Sequence, residues 1–567
     1  MSTFVELHGQ VQGALSLLDN LQTFLSTFQS DLSHVSGQIS NLQERSKDID
    51  SRLKGRRRIE KPLANLLGDL CIPPASALLI LDTDVSEEWI PVIADLEHKL
   101  MALKSRPKVK AARDLAEVAE GLRIAAATKI RALFLSLLQP IRASVTTNIH
   151  VLQTSILLKY QPLYGFVRRH AAPVALEVQR AYCVAARTYY ETGFRRYARS
   201  LTQALVRCPE KQDFVANVAT APEEKQATVS EELLFNAALE GLPVTLAYQA
   251  EDRAVGVSVE GLFRSLHIVL LDNATAEYSF VIAFFTAGQP PAQPVATPLS
   301  STFRDAASPL SASFSPNPLD DAMSDFSGRT PTTRRFSINI SELAAQNKEE
   351  KTALEGVWKS VLDPVLEYCR TFAQTALARP PPSLSLLAMI RLNEAVLAEA
   401  QTRGGCAPLE TFLIGLRLAM WPAFQNGMNA HVDGLKRLAD SAAGGLLSRG
   451  AVKDAFVITI VRRFCALFLG FVSLAGDEAD EAMVFSHVIR LRNELVRLVT
   501  TQSAKGRDPV QQASYQSTVY EAVLSSLTGA AVPTTHPRAQ AEIAFWRERE
   551  EEARRRVAST GQRATRA

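Results

Sequence analysis

From residue 4 the apolar positions of the chain fall on an alternating spacing of three and four. They are Phe4, Leu7, Val11, Ala14, Leu18, Leu21, Leu25, Phe28, Leu32, Val35, Ile39, Leu42, Ser46, Ile49 and Leu53, with only Ser46 breaking the apolar series. A mean spacing of 3.5 puts these side chains on one seam of a helix, and such a seam leaves water only by packing on other helices. The run covers about seven heptads, where three or four suffice to indicate a coiled coil. At 1.5 Å per residue it predicts a rod roughly 75 Å long. Leu15, Leu17 and Phe24 widen the stripe in its first half, while the other flanking positions are mostly Gln and Ser. A wide stripe with little charge beside it suits a bundle of three or four helices better than a two-stranded zipper. The alternative is an amphipathic helix folded onto the chain's own core; the length of the seam favours an intermolecular bundle. The expected partner-helix interface is therefore Leu7, Val11, Leu18, Leu21, Leu25, Phe28, Leu32, Val35, Ile39, Leu42, Ile49 and Leu53.

The pattern changes downstream. The basic run Arg52-Leu-Lys-Gly-Arg-Arg-Arg58 has no interleaved aromatic residues, as a single-strand nucleic-acid binder would, and reads as a solvated face at a helix end. Pro62 is expected to open a new helix that stops at Pro73-Pro74. Apolar residues recur at helical spacing from Glu87 to about Leu205, punctuated by Pro91, Pro107, Pro140, Pro162 and Pro173. Helical spacing returns in Val259–Phe285 and again from Lys351 to about Gln502, and Ala539–Arg556 reads as a short solvent-facing helix. No strand pattern persists beyond ambiguous runs such as Phe280–Phe285.

The expected fold is all-α: an N-terminal coiled coil followed by elongated helical-bundle rods. The expected divisions are a coiled coil at 1–56, a first helical region at 57–205, a variable insert at 206–257 and a helical block at 258–286. A disordered linker at 287–345, rich in Pro, Ser and Thr, leads to a C-terminal helical region at 346–505 and a charged, partly disordered tail at 506–567. Within the linker, Arg334-Arg335-Phe336-Ser337 has the form that basophilic kinases accept, which makes Ser337 a candidate phosphosite.

Composition narrows the function classes. Lys plus Arg number 62 against 59 Asp plus Glu, a net charge of +3, so bulk charge points to no nucleic-acid partner. The six cysteines, at 71, 183, 208, 369, 406 and 465, form no CxxC pair and read as reduced thiols. The N-terminus shows no signal-peptide pattern, and the most apolar run, Phe464–Gly476, falls short of a membrane span, so a soluble cytosolic protein is expected. Phosphate cradles, dinucleotide turns, HExxH and GxSxG are absent, and His98, His150, His170 and His267 are each isolated from other ligand types. No catalytic residue, cofactor or metal is expected.

Several blocks resemble the vacuolar protein sorting-associated protein 52 family, whose members belong to the Golgi-associated retrograde protein complex. The most specific is Leu262-Phe-Arg-Ser-Leu-His-Ile-Val-Leu-Leu-Asp-Asn273, with Glu277-Tyr278 and Phe284-Phe285 after it. Others are Leu157-Leu-Lys-Tyr160 with Tyr164 and Phe166, Asp69-Leu70 before the diproline, Thr128-Lys-Ile-Arg131, the tyrosine-rich run Tyr182–Tyr197, and Trp421-Pro422 with Phe424. Together they cover about residues 5 to 500 in the family's order, although the family's C-terminal helical region looks shortened. The resemblance implies a non-catalytic tether subunit of stacked helical bundles that captures endosome-derived vesicles at the trans-Golgi network. It further implies partners among other tether subunits, Rab-class small GTPases and SNARE proteins. Peripheral attachment to the cytosolic face of trans-Golgi and endosomal membranes would follow. A generic coiled-coil scaffold or cytoskeletal adaptor explains the heptads but not these ordered blocks.

Overall fold

The computed structural model describes residues 2–144, 146–208, 215–216, 231–240, 243–253, 256–286, 340–443, 453–475, 478–506, 508–529 and 536–564. These residues are helical or irregular, with no strand among them. The run Phe280–Phe285, ambiguous as sequence, is helix. Of the linker expected at 287–345, residues 287–339 lie outside the described set, Ser337 included; the remainder already belongs to a helix beginning at Ile340. The chain divides into two compact units, Met1–Ile130 and Arg131–Ala567.

The first unit opens with α1 (Ser2–Leu70), followed by α2 (Pro74–Asp82), α3 (Trp89–Ser105) and α4 (Lys110–Leu137), whose last turns belong to the second unit. α1 passes through Pro62 without a break. The expected boundary at 56 and the new helix at Pro62 are thus both replaced by one 69-residue helix. Proline removes one backbone donor and leaves the carbonyl four residues earlier unpaired; that carbonyl belongs to Arg58, which is exposed and can bond to water instead. The helix ends before the diproline, and Pro74 opens α2. The core of this unit gathers around Trp89, which is fully buried and donates from Nε1 to Thr83 Oγ1 at 3.2 Å. Lys129 of α4 reaches the carbonyls of Leu81 and Thr83 at 2.7 and 2.9 Å, satisfying the open C-terminal end of α2. Asp69, at the end of α1, pairs with Arg106 at 2.7 Å.

The second unit continues with α5 (Gln139–Ala143), α6 (Ile149–Val151), a π-helical turn at Leu152–Leu157, a short 3₁₀ turn at Leu158–Tyr160, α7 (Gln161–His170) and α8 (Ala172–Arg207). Pro140, Pro162 and Pro173 each sit in the first turn of a helix, where no intrahelical donor is needed. α9 (Glu231–Asn236) and α10 (Ala247–Glu251) are the described helices of the stretch expected to be a variable insert, and they pack on α11 (Val259–Phe285) and α8. Arg264 of α11 binds the carbonyls of Ala238 and Leu239 at 2.9 and 2.7 Å, which pins the insert to the core.

The rest is a succession of packed helices: α12 (Ile340–Ala378), α13 (Ser383–Thr402), α14 (Ala407–Ala443), α15 (Asp454–Ser473), α16 (Glu478–Ser503), α17 (Pro509–Thr528) and α18 (Pro537–Ala564). Gly404 and Gly405, at φ +115° and +66°, end α13 in a conformation that side chains resist and allow α14 to return against it. At Gly470 α15 comes so close to α13 that a Cβ would stand 2.5 Å from Leu384. The tail expected at 506–567 is instead largely a helical pair, α17 and α18, packed on α15 and α16. Trp546 of α18 is fully buried and bonds Glu542 at 2.8 Å, while Glu542 pairs with Arg492 at 2.9 Å. Ala539, Ile543, Trp546 and Ala553, buried inside a highly charged sequence, carry that packing, and so few apolar positions are why the segment reads as solvent-facing.

Four stretches are long and apolar enough to cross a membrane by length and composition: Ser2–Asp82, Lys110–Ala143, Val259–Phe285 and Asp454–Ser473. The last revises the reading of Phe464–Gly476 as too short, because its helix extends upstream through Arg462 and Arg463 to Asp454. In Val259–Phe285 and Asp454–Ser473 more than half of the apolar window, 56% and 61%, is buried against this chain's own residues. The first stretch is broken at Cys71–Pro73 between α1 and α2.

Candidate partner-helix interface

Among the described residues, α1 buries none of its side chains. The twelve interface positions are all exposed, from 43% at Leu53 to 64% at Leu42, and Leu15, Leu17 and Phe24 beside them are exposed as well. Phe24 and Phe28 stack with ring centroids 6.2 Å apart, joining the flank of the stripe to its seam. A monomeric protein rarely leaves an apolar stripe of this extent in water. The register also continues beyond the sequence-derived limit. Counting on by three and four from Leu53 gives Arg56, Glu60, Leu63, Leu67 and Leu70, of which Leu63 and Leu67 are 50% and 60% exposed. As sequence the seam stops at Leu53, since the basic run follows it and Pro62 is expected to open a new helix. With the helix unbroken, the seam from Phe4 to Leu70 extends roughly 100 Å at 1.5 Å per residue.

Three of the blocks singled out in the sequence meet elsewhere, inside the second unit. Glu277 of α11 is fully buried and accepts three hydrogen bonds: from Tyr182 Oη at 2.6 Å, Gln153 Nε2 at 2.6 Å and Tyr190 Oη at 3.1 Å. Gln153 stands in the π-helical turn just before Leu157–Tyr160, and Tyr182 and Tyr190 belong to the tyrosine-rich run of α8. One carboxylate thus joins two of the sequence blocks to the turn that leads into a third. Burial pushes the Glu277 carboxyl above the ordinary carboxylate range, against the pull of its three donors. It also pushes the Tyr182 and Tyr190 hydroxyls well above theirs. Below the network, Phe284 and Phe285 pack with Tyr164, Phe134 and Phe280 at centroid distances of 4.8 to 6.3 Å. The arrangement is a packed core with no open face, so these blocks serve the fold.

The polar residues of the Leu262–Asn273 block divide in the same sense. Arg264 and His267 are buried; Asp272 is exposed and pairs with Arg403 at 2.7 Å; Asn273 contacts His150 at 3.3 Å. His267 gives Nδ1 to the Phe263 carbonyl at 2.9 Å and stacks on the Phe263 ring. Burial holds its imidazole down at about 4, although the bond to the carbonyl pulls upward. Because the folded value lies below the unfolded value of about 6.5, His267 contributes stability above pH 6.5 that is lost as pH falls towards 4, up to roughly 3 kcal/mol. Urea unfolding at several pH values between 7 and 4.5 is expected to show this decline in the native chain and a flatter profile in His267→Phe. Equal slopes in the two proteins would remove His267 from the acid response.

No group of three or more His, Cys, Asp or Glu side chains stands at metal-binding distance among the described residues. The six cysteines are free thiols.

Residues 1–167 match the family model described as Vps52/Sac2 family, coiled-coil, and residues 230–310 and 345–546 match the one described as Vps52, C-terminal. Vacuolar protein sorting-associated protein 52 A of Arabidopsis thaliana is 32% identical over 296 residues, covering 50% of this chain and 42% of the plant protein. The human vacuolar protein sorting-associated protein 52 homolog is 30% identical over 302 residues, with coverage of 50% and 42%. These matches span less than half the length of either relative. The Saccharomyces cerevisiae vacuolar protein sorting-associated protein 52 is 21% identical over 572 residues, covering 90% of this chain and 80% of the yeast protein. With the coiled-coil match over α1 and the C-terminal match running through Glu277 to Trp546, the chain belongs to the Vps52 family.

Proposed function

We propose that this chain is a non-catalytic subunit of the vesicle-tethering complex to which the family resemblance points, acting in retrograde transport from endosomes to the trans-Golgi network. The observation that carries the proposal is α1: a 69-residue helix with an apolar seam and no buried residue, in a chain whose other helices pack on one another. Such a seam calls for foreign helices, and a subunit that shares a bundle with other subunits would present one. The same reading brings Rab-class small GTPases and SNARE proteins as partners of the assembled complex. It also brings peripheral attachment at the cytosolic face of trans-Golgi and endosomal membranes. The test is to purify the tagged full chain from its own cells and weigh what accompanies it. Recovery of other helical subunits in equal amount supports the proposal; recovery of the chain alone, or only with itself, overturns it.

A further inference from the structure

Two seam positions of α1 carry charge. In the register running from Phe4 to Leu70, Arg56 and Glu60 lie between Leu53 and Leu63, at consecutive steps where every other position except Ser46 is apolar. Neither makes an ion pair among the described residues, whereas Arg52 on the helix flank pairs with Asp48 at 2.8 Å. A bundle that covers Leu53, Leu63 and Leu67 must also enclose what lies between them. An enclosed charge without a partner is strongly destabilising, and one with an opposite charge facing it sets register and partner choice.

A second copy of this chain does not supply an opposite charge within the layer of either residue. A parallel copy in register faces Arg56 with Arg56 and Glu60 with Glu60. An antiparallel copy covering the whole seam faces Arg56 with Leu18 and Glu60 with Ala14. The one self-pairing that sets Arg56 against Glu60 is antiparallel and staggered, and it leaves the seam before Ser46 uncovered. We infer that the helix seated on this part of α1 comes from a different chain, bearing an acidic residue in the layer of Arg56 and a basic one in the layer of Glu60. This charged step fixes the register along which the seam closes. The inference rests on the tether-subunit reading above and names the chemistry of the partner at that same surface.

The test uses a complementary version of this chain as the probe. The full-length variant Arg56→Glu/Glu60→Arg presents, in parallel register, the opposite charge to each position of the native chain. Sedimentation equilibrium is measured for the native chain, for the charge-swapped chain and for their equimolar mixture, with circular dichroism checking that α1 stays helical. The mixture is expected to associate about tenfold more tightly than either chain alone, and Arg56→Leu/Glu60→Leu to raise self-association by a similar factor. Absence of a gain on mixing overturns the inference. So does a native chain that self-associates as tightly as the mixture, the result the staggered antiparallel pair would produce. The tether reading is judged separately, by whether the native chain co-purifies with other subunits. Subunits recovered alongside a null mixing result would leave that reading standing and remove the charged step.

Discussion

Replacing Leu25 and Leu32 with aspartate is expected to strip the chain of its partner subunits while leaving its own fold intact. Both residues are more than half exposed in the isolated chain, at 60% and 53%, so the charges cost little there. In an assembled bundle the same positions lie against apolar neighbours, and each enclosed, unpaired carboxylate costs roughly 3–5 kcal/mol. Two of them exceed what a helical interface of ordinary affinity can absorb. Co-elution with the other subunits on size exclusion is the measurement, with circular dichroism of the lone chain showing that the helices after residue 87 persist. Ser30→Asp, on the opposite side of α1, is the control and is expected to leave co-elution unchanged. Retained co-elution of the double variant would move the assembly surface away from this seam.

Glu277→Ala is expected to destabilise the second unit by about 3–5 kcal/mol, since it leaves the hydroxyls of Tyr182 and Tyr190 without their acceptor, leaves the amide of Gln153 with only Tyr182 Oη, and opens a cavity. Glu277→Gln is expected to lose less. It keeps the volume and one acceptor oxygen, although its amide must turn away from that of Gln153. The pH dependence separates charge from packing. Because burial raises the folded value of Glu277 above its unfolded one, its contribution is largest at low pH. That contribution is lost as pH rises from about 4.3 through the folded value, the opposite sense to His267. Urea midpoints of the native chain, Glu277→Ala and Glu277→Gln, taken at pH 5 and pH 7, test both points. A Glu277→Ala protein as stable as the native one would show that the network is not what holds α8 to α11.

Local regularity made part of this structure legible. The seam of α1 is visible because one period is kept for so many turns, and the prolines at 140, 162 and 173 that punctuate the helical spacing each stand in a first turn, where their fixed φ and missing N–H fit, while the diproline expected to end a helix also opens one at Pro74. The same chemistry misled at Pro62, and Pro364 and Pro422 likewise sit inside α12 and α14, so proline alone does not say whether a helix begins or is crossed. The helix at Ala539–Arg556 is legible but its packing is not, because a strongly charged helix needs few buried positions and reads as solvent-facing even though Trp546 is fully buried. The Glu277 network was hidden for another reason: its partners stand 124, 95 and 87 residues away along the chain, and no spacing rule reaches that far. Family resemblance marked the blocks individually, yet nothing in their residues announced that they share one carboxylate.

The π-helical turn at Leu152–Leu157 has a consequence for chain length. A wide turn holds one residue more than an α-helical turn would, and one residue amounts to about 100° of rotation. That surplus lets the Gln153 amide point at Glu277 while Tyr164 and Phe166, a few turns later, still face the interior. Losing any single residue between 152 and 157 would wind the segment into regular helix and swing one of these groups out towards solvent. Exposed side chains within the turn can therefore drift, but Gln153, the buried Leu152 and Leu157, and the number of residues in the turn cannot.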